Sequence, residues 1–558
     1  MNKYVRTRNP FPGLRPFEST ESHVFFGRDG QLNDMLTKLH DNRFVAVVGT
    51  SSSGKSSLVR ASLIPELHGG IFAGVSKWRV AVLRPGGSPL QSLGNALDEQ
   101  FGTTGAEITV ASSSLGLVQF VKDASLQARE RLLIVVDQFE ELFRYISVRA
   151  DAEEEAAAFV QRLLVAVSNQ TVPIYIVLTL RSDFLGDCAR FWGLLEELNK
   201  SIYLVPRMFR DQVREAITRP IAVFSARINE TLVNRLLNEV GDNPDHLPVL
   251  QHALQRTWDY WSTHSRDNEP IGMEHYEAIG TLKEALGQHA EEALSELDSN
   301  DQRTAEILLR ALTGLDSANR EYRRPTSVQE LCEIADTTPT RVAKIIDLFR
   351  REDRAFLMPP IDISLTPDTV IDISHESLMR NWPRLNHLVR EEAESAQMYM
   401  RLAETAILKE RGKEDFLGGP ALQLALRWRD ETAPNEVWAL RYHPDFENAM
   451  RFLQESKADA ERRRHRSLRW TRVVFASLIA MALVSIMMTI YAWRAGMRSE
   501  MRRQEAETQR RHAEELTRQM EQQKILAEKN MHEAVERARR ETQNAQAARE
   551  AAARSRKP

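Results

Sequence analysis

The sequence predicts an α/β domain built on a mostly parallel sheet, followed by helical domains, one helix of membrane-spanning length and a long charged helix or coiled coil. Three observations support this order. Apolar runs of strand length alternate with helical patterns over roughly the first 200 residues, which is typical of parallel sheets covered on both faces. The strand patterns end near Arg210, where helices take over. A stretch of about 21 residues without a charge, Val473–Trp493, interrupts the polar helical sequence further on.

Composition limits the class of protein. At 558 residues the chain is too long for one hydrophobic core, so about three or four domains are expected. The 42% hydrophobic and 27% charged residues are typical of globular proteins, and a net charge of −4 predicts no particular affinity for nucleic acid. Cys188 and Cys332 fit no metal or redox spacing and indicate a reducing cytosolic setting for the main body. The N-terminus has no apolar stretch, so no cleaved signal peptide is expected.

A glycine-bounded turn follows the first predicted strand, Arg43–Val48, and precedes a helix predicted to open near Ser56. Residues 49–56 read Gly-Thr-Ser-Ser-Ser-Gly-Lys-Ser, the pattern of a phosphate-binding P-loop. Backbone N–H groups and the helix N-terminus would hold phosphate oxygens, Lys55 would reach the β- and γ-phosphates of ATP, and Ser56 would bind Mg²⁺. The predicted nucleotide contacts are Gly49, Ser53, Gly54, Lys55, Ser56 and Ser57. A Gly/Ser-rich surface turn is the alternative, but it leaves a lysine between two apolar elements unexplained.

Further strands are predicted at Trp78–Leu83, Leu132–Val136, Ile174–Leu180 and Ile202–Val205. Asp137 directly follows the second of these. Ligands of open α/β sheets bind beyond the carboxyl ends of the strands, so Asp137 is predicted to hold Mg²⁺ through water, which is the Walker B role.

Two glutamates follow Asp137 in the sequence Asp-Gln-Phe-Glu-Glu. Many fast ATPases place a glutamate directly after the Walker B aspartate to orient the attacking water, but here that neighbour is Gln138. Glu140 or Glu141 is the candidate substitute, and slow hydrolysis is therefore predicted. The alternative for both glutamates is an ordinary acidic first turn of a helix.

Arg181 and Asp183 follow the strand Ile174–Leu180 at the same edge of the predicted sheet. A cation at this edge could sense the γ-phosphate of the nucleotide. A structural salt bridge is the alternative role for Arg181.

The segment before the sheet is rich in Pro, Gly and aromatic residues, over Asn9–Phe17 and Val24–Arg28. This composition predicts an ordered irregular segment followed by an amphipathic helix. Its aromatic side chains could cover a nucleotide base, or the segment could be a strap packed on the sheet. These aromatic residues are Phe11, Phe17, Phe25 and Phe26.

Two patterns downstream of the sheet concern helices. Pro248 precedes an apolar helix, where proline is ordinarily just a favourable first residue. In residues 301–385, a helix–turn–helix pattern ending at Arg351 is followed by two short strand patterns, as in a winged helix. The last helix of the pattern mixes cations with acids, so its potential to read DNA is weak. His375 lies just beyond, in Ser-His-Glu-Ser-Leu-Met-Arg-Asn-Trp-Pro.

Together these motifs resemble the bacterial novel STAND NTPases, a family of P-loop signal-transduction ATPases with numerous domains. The resemblance covers roughly residues 9–465. It is carried by Phe-Pro-Gly-Leu-Arg-Pro-Phe with Phe-Phe-Gly-Arg, the P-loop, Asp-Gln-Phe-Glu-Glu, Leu-Arg-Ser-Asp-Phe, Leu-Pro-Val-Leu-Gln-His-Ala-Leu and His-Glu-Ser-Leu-Met-Arg-Asn-Trp. It differs from many members at His246, where Gly or Ala is common, and in lacking a pattern of β-propeller repeats.

The resemblance implies an ATP-binding switch that is closed with ADP at rest and opens to form homo-oligomers with ATP. It implies an ATPase domain of the AAA-like kind, a helical domain and a winged-helix domain. Gly27, Arg28 and Pro248 would lie near the adenine, Arg181 would be the sensor, and His375 would contact the nucleotide phosphates. A satisfied interdomain histidine is the alternative for His375.

The apolar stretch Val473–Trp493 is predicted to cross a membrane. As a helix it would rise about 31 Å, which matches the hydrocarbon core of a bilayer. An arginine-rich collar precedes it, and Trp470, Tyr491 and Trp493 lie where interfacial aromatic residues are found. Arginines also follow the stretch, so charge alone does not decide which end of the helix faces the cytoplasm. The orientation is inferred instead from the need of the NTPase part for cytoplasmic ATP. A single-pass protein of the cell (inner) membrane is predicted, with the tail outside; a buried soluble helix is the alternative.

Residues 497–555 have the composition of a long helix. Several apolar residues fit a heptad seam, but Gln523, Asn530 and Arg537 interrupt it. A weak coiled coil that forms when chains are gathered and a solvated single helix are both open.

The predicted domains are an adenine-side segment (1–40), a P-loop NTPase domain (41–209), a helical domain (210–300), a winged-helix domain (301–385), a helical arm (386–465), a basic collar with the transmembrane helix (466–494), and a coiled coil or long charged helix (495–558). The main functional hypothesis is a signalling switch with an unknown trigger or effector protein as partner. The alternatives are an AAA+ ATPase that acts on DNA through its winged helix, and a membrane scaffold with a vestigial nucleotide site. Nucleic acid is not expected as a partner.

Overall fold

The computed structural model describes residues 9–70, 75, 77–127, 129–146, 152–241, 246–266, 268–315, 321–501 and 510–554. The chain forms two compact units. One comprises Met1–Asp415 with Gln423–Leu453, and the other comprises Phe416–Leu422 with Gln454–Pro558. The candidate site lies in the first unit.

A parallel five-stranded sheet organises the N-terminal part of the first unit, as predicted. Its strands follow the order β2-β3-β4-β1-β5. They are β1 (Phe44–Gly49), β2 (Lys77–Leu83), β3 (Glu130–Val136), β4 (Ile174–Arg181) and β5 (Ile202–Leu204). Strand β1 begins one residue later than predicted because Arg43 has a left-handed backbone (φ 54°) and ends the preceding helix.

Helices cover both faces of this sheet, which explains the uninterrupted apolar sequence of its central strands. Alternate side chains of β3, such as Ile134 and Val135, enter separate hydrophobic cores on the two faces. A π-helical stretch, Leu58–Leu63, joins the second and third helices. The helices are α1 (Asp29–Asn42), α2 (Lys55–Ser57), α3 (Ile64–His68), α4 (Pro89–Phe101), α5 (Ala106–Ser112), α6 (Gly116–Asp123), α7 (Glu141–Ile146), α8 (Ala152–Ser168) and α9 (Leu194–Ser201).

A helical part follows the sheet, with its own core around Trp258 and Trp261. Phe11 from the N-terminal segment is buried in this core. The helices are α10 (Arg210–Val223), α11 (Glu230–Val240), α12 (His246–His264), α13 (Met273–Ala278) and α14 (Thr281–Ser295). The segment therefore joins the sheet domain to the helical part.

Residues 299–381 combine short helices with two small antiparallel sheets. One sheet pairs β6 with β7, and the other has the order β8-β10-β9. The β6–β7 pair was not predicted. The first helix of the predicted helix–turn–helix, expected over Thr326–Ala335, begins only at Val328, because Ser327 is its N-cap and Thr326–Ser327 form a strand. The elements are α15 (Ser299–Ala311), β6 (Thr313–Leu315), β7 (Glu321–Arg323), β8 (Thr326–Ser327), α16 (Val328–Ile334), α17 (Pro339–Phe349), β9 (Leu357–Met358), β10 (Val370–Ile373) and α18 (Ser377–Asn381).

The remaining elements are helices of very different lengths. One of them contains the apolar stretch Val473–Trp493, and by length and composition alone Phe446–Ala495 could cross a membrane, with a mean hydropathy of 2.5 in its most apolar window. The helices are α19 (Pro383–Glu410), α20 (Gly419–Thr432), α21 (Glu436–Leu440), α22 (Phe446–Met501) and α23 (Arg510–Arg554). Parts of the predicted coiled coil or long charged helix, residues 502–509 and 555–558, lie outside the described residues.

Candidate functional site

The P-loop connects β1 to α2 at the carboxyl edge of the sheet. Gly54 has φ 85° and directly precedes α2, which begins at Lys55. A Cβ atom on Gly49 would lie 2.7 Å from Ser53 Oγ, so this position requires glycine. Lys55 is buried, and its Nζ donates to the carbonyl oxygens of Gly49 (3.1 Å) and Thr50 (2.7 Å). Burial lowers the pKa of Lys55, so an anion in front of the loop would stabilise its charged form.

Asp137 lies directly behind the loop. Its Oδ1 accepts hydrogen bonds from Ser56 Oγ at 2.7 Å and from Thr179 Oγ1 at 2.6 Å, and its Oδ2 pairs with Arg60 at 3.0 Å. Although burial opposes ionisation, Arg60 and the two hydroxyl donors lower the pKa of Asp137 to about 2. An ionised carboxylate beside a serine hydroxyl is a suitable oxygen donor set for Mg²⁺. Ser56 and Asp137 therefore fit the ion they were predicted to hold.

The two candidate catalytic glutamates are both buried, but only Glu140 lines the cavity in front of the P-loop. Glu140 Oε2 accepts the backbone N–H of Arg181 at 3.2 Å. Glu141 begins α7 and accepts the N–H of Gly86 at 3.2 Å, away from the cavity lining. Burial raises the pKa of Glu141 to about 7, because its effect is larger than the opposite effect of the nearby Arg84 and Arg323.

Gln138 reaches the cavity in place of Glu141. Its backbone has φ 60°, and its N–H donates to Thr179 Oγ1 at 2.8 Å. Its side-chain Oε1 accepts from Nη2 of Arg323, on β7, at 2.8 Å. Neither Arg323 nor its contact with Gln138 was predicted, since no local pattern marks a pair 185 residues apart.

Arg28 and Gly27 hold the N-terminal segment in place. The buried guanidinium of Arg28 donates to the carbonyl oxygens of Ser53 and Pro206, both at 2.8 Å, and burial lowers its pKa to about 10. Gly27 has φ 86°, and a Cβ there would lie 2.4 Å from the Gln212 carbonyl oxygen. Arg28 lines the cavity and Gly27 does not. Of these two predicted adenine-side residues, Arg28 is bonded to the protein backbone and Gly27 provides the space in which the Gln212 carbonyl approaches.

The sequence left two roles open for the aromatic residues of this segment, covering a nucleotide base or packing as a strap, and the structure places these residues in two different environments. Phe11 packs in the helical core, as in a strap. Phe17, Phe25 and Phe26 line the cavity, and the Phe17 N–H donates to Ser57 Oγ at 3.2 Å.

Residues after β10 contact the tip of the P-loop. His375 Nε2 lies 3.4 Å from Ser52 Oγ, and its Nδ1 accepts the backbone N–H of Ser377. Glu376 was not predicted, although it adjoins His375 in a quoted motif. Its Oε2 accepts from Ser51 Oγ at 2.7 Å, and its Oε1 accepts from Arg181 Nη1 at 3.0 Å.

The charge environment keeps Glu376 ionised. Although burial opposes ionisation, Arg323, His375 and Arg181 lower the pKa of its carboxyl well below the ordinary value. Arg181 also pairs with Asp183 at 2.9 Å, so its observed contacts include the salt bridge proposed as the alternative to phosphate sensing. Sensor and salt bridge are compatible, because a phosphate could replace one carboxylate at the guanidinium.

One cavity collects most of the predicted site. Its lining includes the predicted residues Arg28, Ser53, Gly54, Lys55, Ser56, Ser57, Glu140, Arg181, Pro248 and His375, together with Gln138, Arg323 and Glu376. Gly27, Gly49, Asp137 and Glu141 lie outside this lining. The cavity therefore has a polar end at the P-loop and apolar walls from the N-terminal segment and α12.

Comparison with known families identifies this architecture. The family model of Novel STAND NTPase 1 matches residues 10–415, which is most of the chain. The chain belongs to this family. As a novel STAND NTPase, it is a nucleotide-binding, NTP-hydrolysing protein of the P-loop class. No curated protein matches this STAND NTPase significantly.

Solved structures similar to this STAND NTPase are distant. The Walker-type ATPase of Pyrococcus abyssi is 13% identical with a TM-score of 0.32, covering 69% of this chain and 99% of the other. Cdc6p of Pyrobaculum aerophilum is 12% identical with a TM-score of 0.32, covering 70% and 99%. ORC2 of Aeropyrum pernix, in ADPNP–ADP complexes, is 10% identical with a TM-score of 0.37, covering 70% and 97%. At these values the similarity says nothing about function.

Proposed function

We propose that this protein is an ATP-binding signalling switch with slow ATPase activity, closed with ADP and opened by ATP into a form that assembles into homo-oligomers. The observation that carries the proposal is the contact of Ser51 and Arg181 with Glu376, which links the P-loop edge of the sheet to residues 299–381. A γ-phosphate and the Glu376 carboxylate are both anions that would accept hydrogen bonds from the same donors, the Ser51 hydroxyl and the Arg181 guanidinium. ATP would therefore compete with this contact, whereas ADP would leave it intact.

We propose that residues 301–385 are a winged-helix module directed at the nucleotide rather than at DNA. Arg341 and Lys344 of α17 both pair with Asp301, at 2.6 and 2.7 Å. Arg350, just after that helix, is buried and donates to the Pro360 and Ile363 carbonyl oxygens. Cations engaged in this way leave little positive surface for a phosphate backbone, so the DNA-binding alternative has no support from these contacts.

We propose that Mg²⁺ accompanies the nucleotide, held by Ser56 and, through water, by Asp137. Bound there, the ion would neutralise phosphate charge during hydrolysis. Lys55 and the P-loop N–H groups orient the phosphates, and His375 donates toward them from the winged-helix side.

We propose that α22 anchors the protein in the cell (inner) membrane with the NTPase part in the cytoplasm. The side chains of the apolar stretch Val473–Trp493 are exposed, as in a helix that faces lipid. The arginine-rich residues before it suit the cytoplasmic surface. The tail helix α23 would associate as a coiled coil when chains are gathered, with a trigger or effector protein as a further partner.

The test measures bound nucleotide and particle mass of the detergent-purified full chain with ATP and with ADP. We expect ATP-dependent assembly that is lost in Lys55→Ala, because the variant lacks the phosphate-binding ammonium. The matched control is Lys122→Ala, on the exposed face of α6. Assembly that is equal with and without ATP would overturn the switch, and an absence of nucleotide binding would favour a vestigial site.

A further inference from the structure

We propose that Gln138 positions the attacking water for ATP hydrolysis and that Arg323, from the β6–β7 pair, is the positioning residue that orients the Gln138 amide. The inference rests on the proposed function in taking ATP as the substrate. It assigns the catalytic step to residues other than the two glutamates that the sequence suggested.

The backbone of Gln138 is fixed relative to the predicted Mg²⁺ site. Thr179 Oγ1 accepts the Gln138 N–H at 2.8 Å and donates its own proton to Asp137 Oδ1 at 2.6 Å. The left-handed backbone at Gln138, with φ 60°, places its side chain in the cavity lining beside Lys55 and Glu140. A non-glycine residue in this conformation is uncommon and is maintained by the surrounding contacts.

Arg323 determines which way the Gln138 amide faces. A guanidinium only donates hydrogen bonds, so the atom it contacts at 2.8 Å must be the amide oxygen, and the amide nitrogen must face the other way. Arg323 is itself immobilised, because its Nη1 donates to Asp372 Oδ2 at 2.5 Å and to the Ile373 carbonyl oxygen at 2.9 Å. All three partners are buried or line the cavity, so the orientation is specific.

The competing glutamates are used elsewhere. Glu141 accepts the Gly86 N–H and lies outside the cavity lining. Glu140 lines the cavity, but one oxygen accepts the backbone N–H of Arg181. Gln138 directly follows Asp137 in sequence and lines the cavity. A residue in this position can orient a water in line with the γ-phosphate.

The chemistry requires orientation rather than a strong base. The Gln138 Oε1 has a second lone pair that accepts a hydrogen bond from the water, and Nε2 donates a hydrogen bond to a γ-phosphate oxygen. The water oxygen forms a bond to the γ-phosphorus, and the bond between that phosphorus and the β–γ bridging oxygen breaks, leaving the electron pair on ADP. The water proton passes to a γ-phosphate oxygen, giving ADP and inorganic phosphate. Because Arg323 comes from the winged-helix side, hydrolysis requires that side to be seated on the sheet; the open ATP form would therefore hydrolyse slowly, and turnover would occur when the molecule closes again.

The experiment compares single-turnover ATP hydrolysis and ATP affinity in the detergent-purified full chain. Gln138→Leu keeps the side-chain volume and removes the amide, so we expect a loss of tenfold or more in the hydrolysis rate. Arg323→Lys should give a similar loss, because one ammonium cannot hold both Asp372 and Gln138. The affinity for ATP should stay within about twofold in both variants, which also reports that they are folded.

Two further variants separate positioning from structural support. If Arg323 acts through Gln138, the double variant should be no slower than the slower single variant. Gln138→Glu should hydrolyse ATP faster than Gln138→Leu but more slowly than the wild type, since a carboxylate also accepts from Arg323 and from water but cannot donate to the γ-phosphate. The matched control is Arg324→Lys. The guanidinium carbon of Arg324 lies 4.9 Å from the centre of the Tyr442 ring, and Arg324 does not line the cavity. The hydrolysis rate of this variant should equal that of the wild type.

Each result decides the question. Unchanged hydrolysis in Gln138→Leu, or additive losses in the double variant, overturns the inference while leaving the switch intact. If Arg323→Lys does not fold, the contrast of Gln138→Leu with Gln138→Glu decides. A wild-type chain that neither binds nor hydrolyses ATP overturns the proposed function itself.

Discussion

The hydroxyl of Ser51 donates a hydrogen bond to Glu376 at 2.7 Å across 325 residues of sequence. Ser51 belongs to the phosphate-binding loop and Glu376 to the segment after β10. The same carboxylate also pairs with Arg181 at 3.0 Å. The Glu376 side chain therefore joins the loop, the predicted sensor and the segment after β10.

Replacing Glu376 with glutamine should favour the open form. The amide keeps the volume but loses the charge-assisted bonds to Ser51 and Arg181, and such bonds contribute about 1.5–3 kcal/mol each. We expect the ATP concentration for half-maximal assembly to fall by about 5- to 150-fold, the usual range of such couplings. Light scattering across an ATP titration measures it. Glu333→Gln, on the exposed side of α16, is the control, and an identical midpoint in Glu376→Gln would contradict the proposed competition.

Replacing Arg28 with alanine should loosen the P-loop from the N-terminal segment. The carbonyl oxygens of Ser53 and Pro206 would each lose a bond from a charged donor. We expect the free energy of unfolding to fall by about 3 kcal/mol and the affinity for ATP to fall about tenfold. Melting curves with and without ATP report both effects. Arg303→Ala, on the exposed side of α15, should match the wild type; an unchanged melting temperature in Arg28→Ala would show that these bonds contribute nothing.

The buried carboxyl of Glu141 should make stability depend on pH. Its pKa is about 7 in the folded chain against an ordinary value of 4.5. Below the ordinary value both folded and unfolded chains carry the proton, so Glu141 contributes no difference. Between the two values the folded chain binds more protons, so the free energy of unfolding falls as pH rises and levels off above about 7. The full penalty is on the order of 3 kcal/mol, at about 1.4 kcal/mol per pKa unit.

Glu141→Gln should remove this penalty. The variant should melt several degrees above the wild type at pH 8, and the difference should shrink toward pH 5. Scanning calorimetry or fluorescence melting at both values measures it. Glu99→Gln, on the exposed face of α4, should shift neither temperature. A difference that is constant with pH would mean that Glu141 is ionised throughout.

Two arginines in the apolar stretch should release the protein from membranes. At the centre of a spanning helix each arginine costs about 2.5–3.5 kcal/mol. The double variant Ala480→Arg with Val484→Arg should move from the alkali-resistant membrane pellet to the supernatant. The same charges placed in α23, as Ala527→Arg with Met531→Arg, should leave the protein in the pellet. A wild-type chain extracted by alkali would instead indicate that α22 is not an anchor.

The sheet and the core of the site were predictable because their signals are local. Strands buried on both faces must be apolar throughout, which located β1, β3 and β4 to within one or two residues. The P-loop and Asp137 follow directly from strand ends. By contrast, the roles of Glu376 and Arg323 depend on how a distant module packs against the sheet, and a single sequence contains no local pattern for that packing.

The glutamates illustrate the same limit within one turn. Asp137, Gln138, Glu140 and Glu141 are neighbours in sequence, and the sequence does not tell which of them reaches the cavity. The left-handed backbone of Gln138 turns that side chain inward, and Glu141 is directed to Gly86 instead. The alternative prediction for Glu141, an acidic residue in the first turn of a helix, agrees with its position at the start of α7.

The N-terminal segment limits how far the helical part could separate from the sheet in the proposed opening. Phe11 is held in the helical core and the Phe17 N–H is held by Ser57, so the two attachments are six residue steps apart. A fully extended chain of that length spans about 20 Å at most. While both attachments last, the helical part stays close to the sheet, and the proposed opening would be a hinge motion about this segment.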